Sequence, residues 1–121
     1  MAKRTEHTAC WLGETSIVLT GGNNDEKNVP IDQCEMFENG QWKQLPALNQ
    51  ARKVHSSAAF NNNTVYVFCG HDGNDVLNSI EKWTLGDHKW TTIETNGVIL
   101  DRKTRLKSVQ VNHKFILIFG G

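Results

Sequence analysis

The sequence predicts an all-β protein assembled from a repeated four-stranded unit, and three observations carry that prediction. A displacement of 48 residues lays the chain onto itself with several anchors in register. Each copy breaks into short strands with turn residues about every 8 to 12 positions. No helical periodicity of useful length competes with this pattern.

Under that displacement Arg4-x-x-His7 falls on Arg52-x-x-His55, and Ile17-Val18-Leu19 falls on Val65-Tyr66-Val67. Gly21-Gly22 falls on Cys69-Gly70, and Trp42 on Trp90. Glu35-x-Phe37 matches Glu81-x-Trp83 once a two-residue change in loop length is allowed. Phe115-Ile116-Leu117-Ile118-Phe119, leading into Gly120-Gly121, opens a third copy. One repeat domain over 1–121 therefore divides into repeats at about 4–48 and 52–96 and a half repeat at about 102–121.

Each element has a local reason. The first strand runs through about Ala9 to Leu12, or Ser56 to Phe60, and ends at Gly13-Glu14-Thr15 or Asn61-Asn62-Asn63, which tolerate positive φ. The second strand is the apolar run before the doublet, continuous as expected of a strand buried on both faces. A polar loop follows, Asn23 to Val29 or His71 to Asp75, then a third strand at Cys34 to Phe37 or Ile80 to Thr84. A turn at Asn39-Gly40 or Gly86-Asp87 leads into a fourth strand that starts at Trp42 or Trp90.

The doublet glycines, Gly21, Gly22, Gly70, Gly120 and Gly121, permit close backbone approach at strand ends. Cys69 in place of a glycine predicts that its position does not require positive φ. Trp42, Trp83 and Trp90 are expected in the core between stacked sheets. Arg4, Arg52, His7, His55, Glu35 and Glu81 are expected to satisfy one another and loop carbonyls near the sheet edge, because buried charges need partners.

Composition narrows the function. Lys plus Arg and Asp plus Glu number thirteen each, so the net charge is zero, which argues against nucleic acid and anionic membrane as partners. Arg102, Lys103, Arg105 and Lys107 form a short basic run that reads as a solvated loop. No apolar run approaches the ~20 residues of a membrane-spanning helix. The N-terminal stretch has no apolar segment of signal-peptide type. Cys10, Cys34 and Cys69 have neither zinc-site nor CxxC spacing and suggest a reducing, cytoplasmic setting.

Taken together, the doublet after an apolar strand, the following aromatic and the later tryptophan resemble the kelch repeat. Trp83 and Trp90 have six residues between them, as that motif has it, whereas Phe37 and Trp42 have four. The resemblance covers Arg4 to Gly121 and implies β-propeller blades, each a four-stranded antiparallel sheet. Departures fall mostly in the third copy, where Leu106 takes the histidine place, Arg102 is one position off and Glu94 to Leu100 is longer. Ten strands fall short of the roughly six blades that close such a ring. The resemblance thus implies an incomplete propeller, a piece of a longer protein, with a small oligomeric ring as the alternative.

Kelch propellers are mostly interaction modules: ubiquitin-ligase substrate receptors, cytoskeleton-associated proteins and scaffolds. The resemblance implies a protein partner bound through inter-strand loops, with Asn24, Asp25, Lys27, His71, Asp72 and Asn74 as candidate contacts. The alternative is a fragment of a kelch-propeller enzyme, of sugar-oxidase or sialic-acid-epimerase type, whose site lies on other blades. Nothing in this segment favours catalysis. The single tyrosine, Tyr66, lies in a buried strand, whereas a copper-radical oxidase needs tyrosine ligands. His71-Asp72 is a weak base-and-orienter pair in a loop, and no phosphate loop, GxSxG or HExxH occurs. No catalytic residue, metal ligand or cofactor is expected. Trp11 alone lacks an aromatic counterpart, aligning with Ala59, and one stray aromatic does not make a stacking platform for single-stranded nucleic acid.

Overall fold

The computed structural model describes residues 4–77, 79–93, 106–110 and 116–120, and every regular element among them is a strand. The first sheet takes β1 (Thr8–Leu12) and β2 (Ser16–Thr20), while β3 (Asn23–Asn24) and β4 (Val29–Pro30) form a separate small hairpin. It is completed by β5 (Cys34–Glu38) and β6 (Gln41–Leu45), in the order β1-β2-β5-β6. The second sheet joins β7 (Ser56–Phe60), β8 (Thr64–Phe68), β9 (Ile80–Thr84) and β10 (Thr91–Ile93) in sequential order. A third, two-stranded sheet pairs β11 (Leu106–Gln110) with β12 (Ile116–Gly120). All pairings are antiparallel.

Turn chemistry explains the tight meander. Asn39 and Gly40 both take positive φ, 53° and 78°, the two-residue arrangement whose twist suits a hairpin between β5 and β6. Asn61 and Asn62 do the same between β7 and β8. β1, β7 and β11 lie side by side, so successive sheets fan out from a common inner edge as propeller blades do.

Register decides which face of each sheet is buried. In the first sheet Cys10, Val18 and Met36 share one face, and this face packs with Leu12, Cys34 and Leu48 against Val65, Val67, Trp83 and Trp90 of the second. The opposite face of the second sheet gathers Ala58, Phe68 and Cys69 with Tyr66 and Ile80. β8 therefore sits between two packed layers, which accounts for its unbroken apolar run, whereas β2 packs against the second sheet through the face carrying Val18.

Four expectations need correction. Cys69 does take positive φ, 56°, matching the 57° of Gly21 in the first repeat. Its carbonyl accepts from Arg52 Nη1 at 2.9 Å, as that of Gly21 does from Arg4 at 3.0 Å, and that shared grip keeps the same backbone turn in both repeats. Trp42 is not a core residue: it is 41% exposed, against 1% for Trp90, because the first sheet covers Trp90 and, among the described residues, no sheet covers the face carrying Trp42. The fourth strand of the second sheet begins at Thr91, with Trp90 just before it. The first polar loop is itself the hairpin of β3 and β4. Arg102, Lys103, Arg105, Gly121 and the segment Glu94 to Leu100 lie outside the described residues.

Candidate partner-binding face

The face is built on an arginine–glutamate pair found in both of the first two repeats. Arg52, fully buried, lies in the connection between the first two sheets and reaches across the end of the second. Nη1 donates to the carbonyls of Cys69 and Ser79 at 2.9 and 3.1 Å, and Nη2 to Ser79 Oγ at 3.0 Å and Glu81 Oε2 at 2.8 Å. The Glu81 carboxylate also accepts the backbone N–H groups of Asn49 and Gln50, at 2.6 and 3.1 Å. One pair thus ties the inter-sheet connection to both ends of the loop from Gly70 to Ser79. Arg4 repeats the pattern with Gly21 O and Gln33 O, each at 3.0 Å, and meets Glu35 at 3.4 Å.

The histidines do not join these pairs, contrary to expectation. His55 crosses to the first sheet, where Nε2 is hydrogen-bonded to Thr20 Oγ1 at 2.8 Å and Thr8 Oγ1 at 3.1 Å. Burial, reinforced by the Arg52 charge, holds its pKa down to about 3, so it is a neutral structural wedge. It fits because Gly21 has no side chain: a Cβ there would stand 2.8 Å from the imidazole Cε1. His7, the repeat counterpart, is exposed.

This scaffold presents two loops side by side. Thr5 bridges to Asn23, and Lys53 bridges to His71, so both loops rise from the same end of the sheets. Within the first, Asn24 Oδ1 accepts the N–H groups of Glu26 and Lys27, and Asp25 Oδ1 accepts from Thr5 Oγ1 at 2.7 Å. Within the second, Asp72 Oδ1 accepts from Asn74 N and Asp75 N at 2.8 and 2.7 Å. Those backbone N–H groups, Asp75's above all, hold the Asp72 carboxyl below its ordinary pKa. His71 Nδ1 accepts from Gly73 N at 2.9 Å. His71 and Asp72 are thus each bonded to loop backbone and not to each other, which leaves no base-and-orienter pair. The loops meet where Gly73 passes Pro30: a Cβ on Gly73 would lie 3.3 Å from Pro30 Cδ.

All six loop residues singled out from the sequence, Asn24, Asp25, Lys27, His71, Asp72 and Asn74, fall on this one end of the molecule. Asp25, Lys27 and Asn74 are exposed, while Asn24, His71 and Asp72 shape the loops. Three further contributors went unread. Val29 stands 45% exposed on the first hairpin, and Glu6 and Lys53 form an ion pair at 3.5 Å beneath the loops. The signal for Val29 was its place between Asn28 and Pro30 in a polar loop, where an apolar residue has no core to join. Glu6 and Val54 both take positive φ, 55° and 47°, at the position before the repeat histidine; a β-branched valine gives no sequence hint of that. Sequence comparison agrees with the architecture: the family model described as the KLHDC2/KLHL20/DRC7 Kelch-repeats domain matches residues 1–121, and the chain belongs to this kelch-repeat family.

Proposed function

We propose that this chain is a protein-binding module that holds its partner on the face formed by residues 23–30 and 71–76. Kelch-repeat domains generally mediate protein–protein interaction. The observation that carries the reading to this face is the meeting of equivalent loops from two successive repeats at Pro30 and Gly73. Each loop is preshaped by side-chain caps, so little conformational entropy remains to be lost on binding. Asp25, Glu26 and Lys27 on the first loop and Asn74 and Asp75 on the second are exposed, as is Val29, which offers an apolar contact among polar residues.

A binding role is favoured over a catalytic one because His71 Nδ1 and Asp72 Oδ1 bond to loop backbone and not to each other. Burial raises the pKa of the Cys10 and Cys34 thiols to about 11 and about 12, which makes them poor nucleophiles. The test is selection of binders to the immobilised 121-residue chain from a displayed peptide library, repeated with the Lys27→Ala, Val29→Ala, Asn74→Ala triple variant. Loss of the selected binders from the triple variant, and their retention by a Lys89→Ala control, is the expected result. Binders that ignore the loop changes would place the partner surface elsewhere.

A further inference from the structure

We propose that Asn39 is a site of self-modification: the backbone nitrogen of Gly40 displaces its side-chain amide, leaving aspartate or isoaspartate in the turn between β5 and β6. The turn lies at the opposite end of the first sheet from the loop face, and the inference does not rest on that face.

The route needs an asparagine side chain that no hydrogen bond holds. It also needs a free N–H on the next residue and no side chain there to obstruct the approach. Among the described residues, Asn39, Asn62 and Asn74 make no side-chain hydrogen bond, whereas Asn24, Asn28, Asn49 and Asn63 each commit an amide group to one. Asn62 precedes Asn63 and Asn74 precedes Asp75, while Asn39 precedes glycine. Asn39 and Gly40 are both exposed. Gly40 has φ 78° and open space where a Cβ would stand, and among the described residues no hydrogen bond holds its N–H.

Asp72-Gly73 is the contrasting step, since an aspartate can close the same ring by losing water. There Gly73 N donates to His71 Nδ1 at 2.9 Å, and Asp72 Oδ1 accepts from Asn74 N and Asp75 N. The nitrogen that would attack is engaged and the carboxylate is anchored. The second loop is thereby protected from a reaction that the turn at Asn39 undergoes.

The chemistry uses only water and a buffer base. The base takes the Gly40 amide proton, and the nitrogen attacks Asn39 Cγ. A new N–Cγ bond closes a succinimide ring as the Cγ–Nδ2 bond breaks, and Nδ2 leaves, reprotonated, as ammonia. Water then opens the ring. Attack at Cγ gives aspartate, and attack at the Asn39 main-chain carbonyl carbon gives isoaspartate, with one more carbon in the chain. That carbon enters a two-residue turn whose geometry sets the pairing of Glu38 with Gln41. Either product also places a carboxylate next to Glu38, which already accepts from Ser16 Oγ at 2.7 Å and Lys43 Nζ at 3.4 Å.

The test incubates the 121-residue chain, folded, in mildly alkaline buffer and follows each asparagine by peptide mass spectrometry, with fragmentation that separates isoaspartate from aspartate. The other Asn-Gly step, Asn96-Gly97, lies outside the described residues and is read on its own peptide. Asn39 is expected to convert several-fold faster than Asn62 and Asn74. Gly40→Ala should slow it several-fold, and Asn39→Gln, which must close a larger ring, should keep its amide. Conversion of Asn39 no faster than that of Asn62 and Asn74 overturns the proposal, as does an unchanged rate in Gly40→Ala. Isomerisation of Asp72 as fast as conversion of Asn39 overturns the protection assigned to His71.

Discussion

Replacing Glu81 by glutamine separates a hydrogen-bonded ion pair from a merely neighbouring one, because Glu35 supplies the control at the same repeat position. The Glu81 carboxylate receives three donors, Asn49 N, Gln50 N and Arg52 Nη2, at 2.6, 3.1 and 2.8 Å, with both side chains of the pair buried. Glutamine keeps the shape but has one acceptor oxygen, and its NH2 must face a donor. Arg52 keeps its charge with no counter-charge. Breaking a buried pair from one side costs about 3–5 kcal/mol. At Glu35 the arginine lies 3.4 Å away, and among the described residues Oε2 has no hydrogen-bond partner. Glu35→Gln should therefore cost about 1 kcal/mol, the order of a single net hydrogen bond. Urea unfolding of both variants measures the difference, expected as a lower midpoint for Glu81→Gln with an unchanged slope. Equal losses in the two variants would refute the claim that the connection's N–H groups, and not the arginine alone, make this site.

Two further outcomes follow from the same geometry. His55 is neutral in the folded chain, with its pKa lowered to about 3 by burial and then by Arg52, against about 6.5 for an ordinary histidine. Its stabilising contribution is therefore complete above pH 6.5 and lost as pH falls toward 3, amounting to about 2 kcal/mol by pH 5. Urea midpoints measured between pH 7 and 5 should fall in the native chain and stay flat in His55→Gln; parallel slopes would assign the acid sensitivity elsewhere. Gly70→Ala puts a Cβ 2.6 Å from Lys53 O at φ 95°, while Gly40→Ala at φ 78° meets open space. The first should cost about 3 kcal/mol and the second about 1 in thermal or urea unfolding, and similar losses would show that φ alone governs both.

The strands were readable because their cause is local. Apolar runs, Asn-Gly turns and a fixed 48-residue recurrence act within a few residues or repeat outright, and the expected strand ends in the first two repeats needed shifts of at most one residue. What escaped depends on partners distant in sequence. Nothing around Cys69 announces positive φ; the conformation follows from Arg52, which grips its carbonyl from 17 positions away. The N–H pair of Asn49 and Gln50 looks like any polar connection until Glu81 is seen folded beneath it. The loops were located by repeat position alone, but their contact at Pro30 and Gly73 depends on how two sheets are set side by side.

Trp42 and Trp90 show why a repeat has to be read together with its neighbour. They share one register place, and each follows an aromatic partner, Phe37 or Trp83, with ring centroids 5.1 and 6.2 Å apart. By sequence they are the same anchor. Their environments differ because burial in stacked sheets belongs to the interface between two repeats and not to either one. The same holds for the charges: Glu81 and Arg52 are satisfied by a connection contributed from the first repeat, whereas Glu35 Oε2 and Arg4 Nε have no hydrogen-bond partner among the described residues. Stability in this chain therefore resides largely at the junction of the first and second sheets. A change such as Glu81→Gln should weaken both sheets together, whereas changes at Trp42 touch one exposed face.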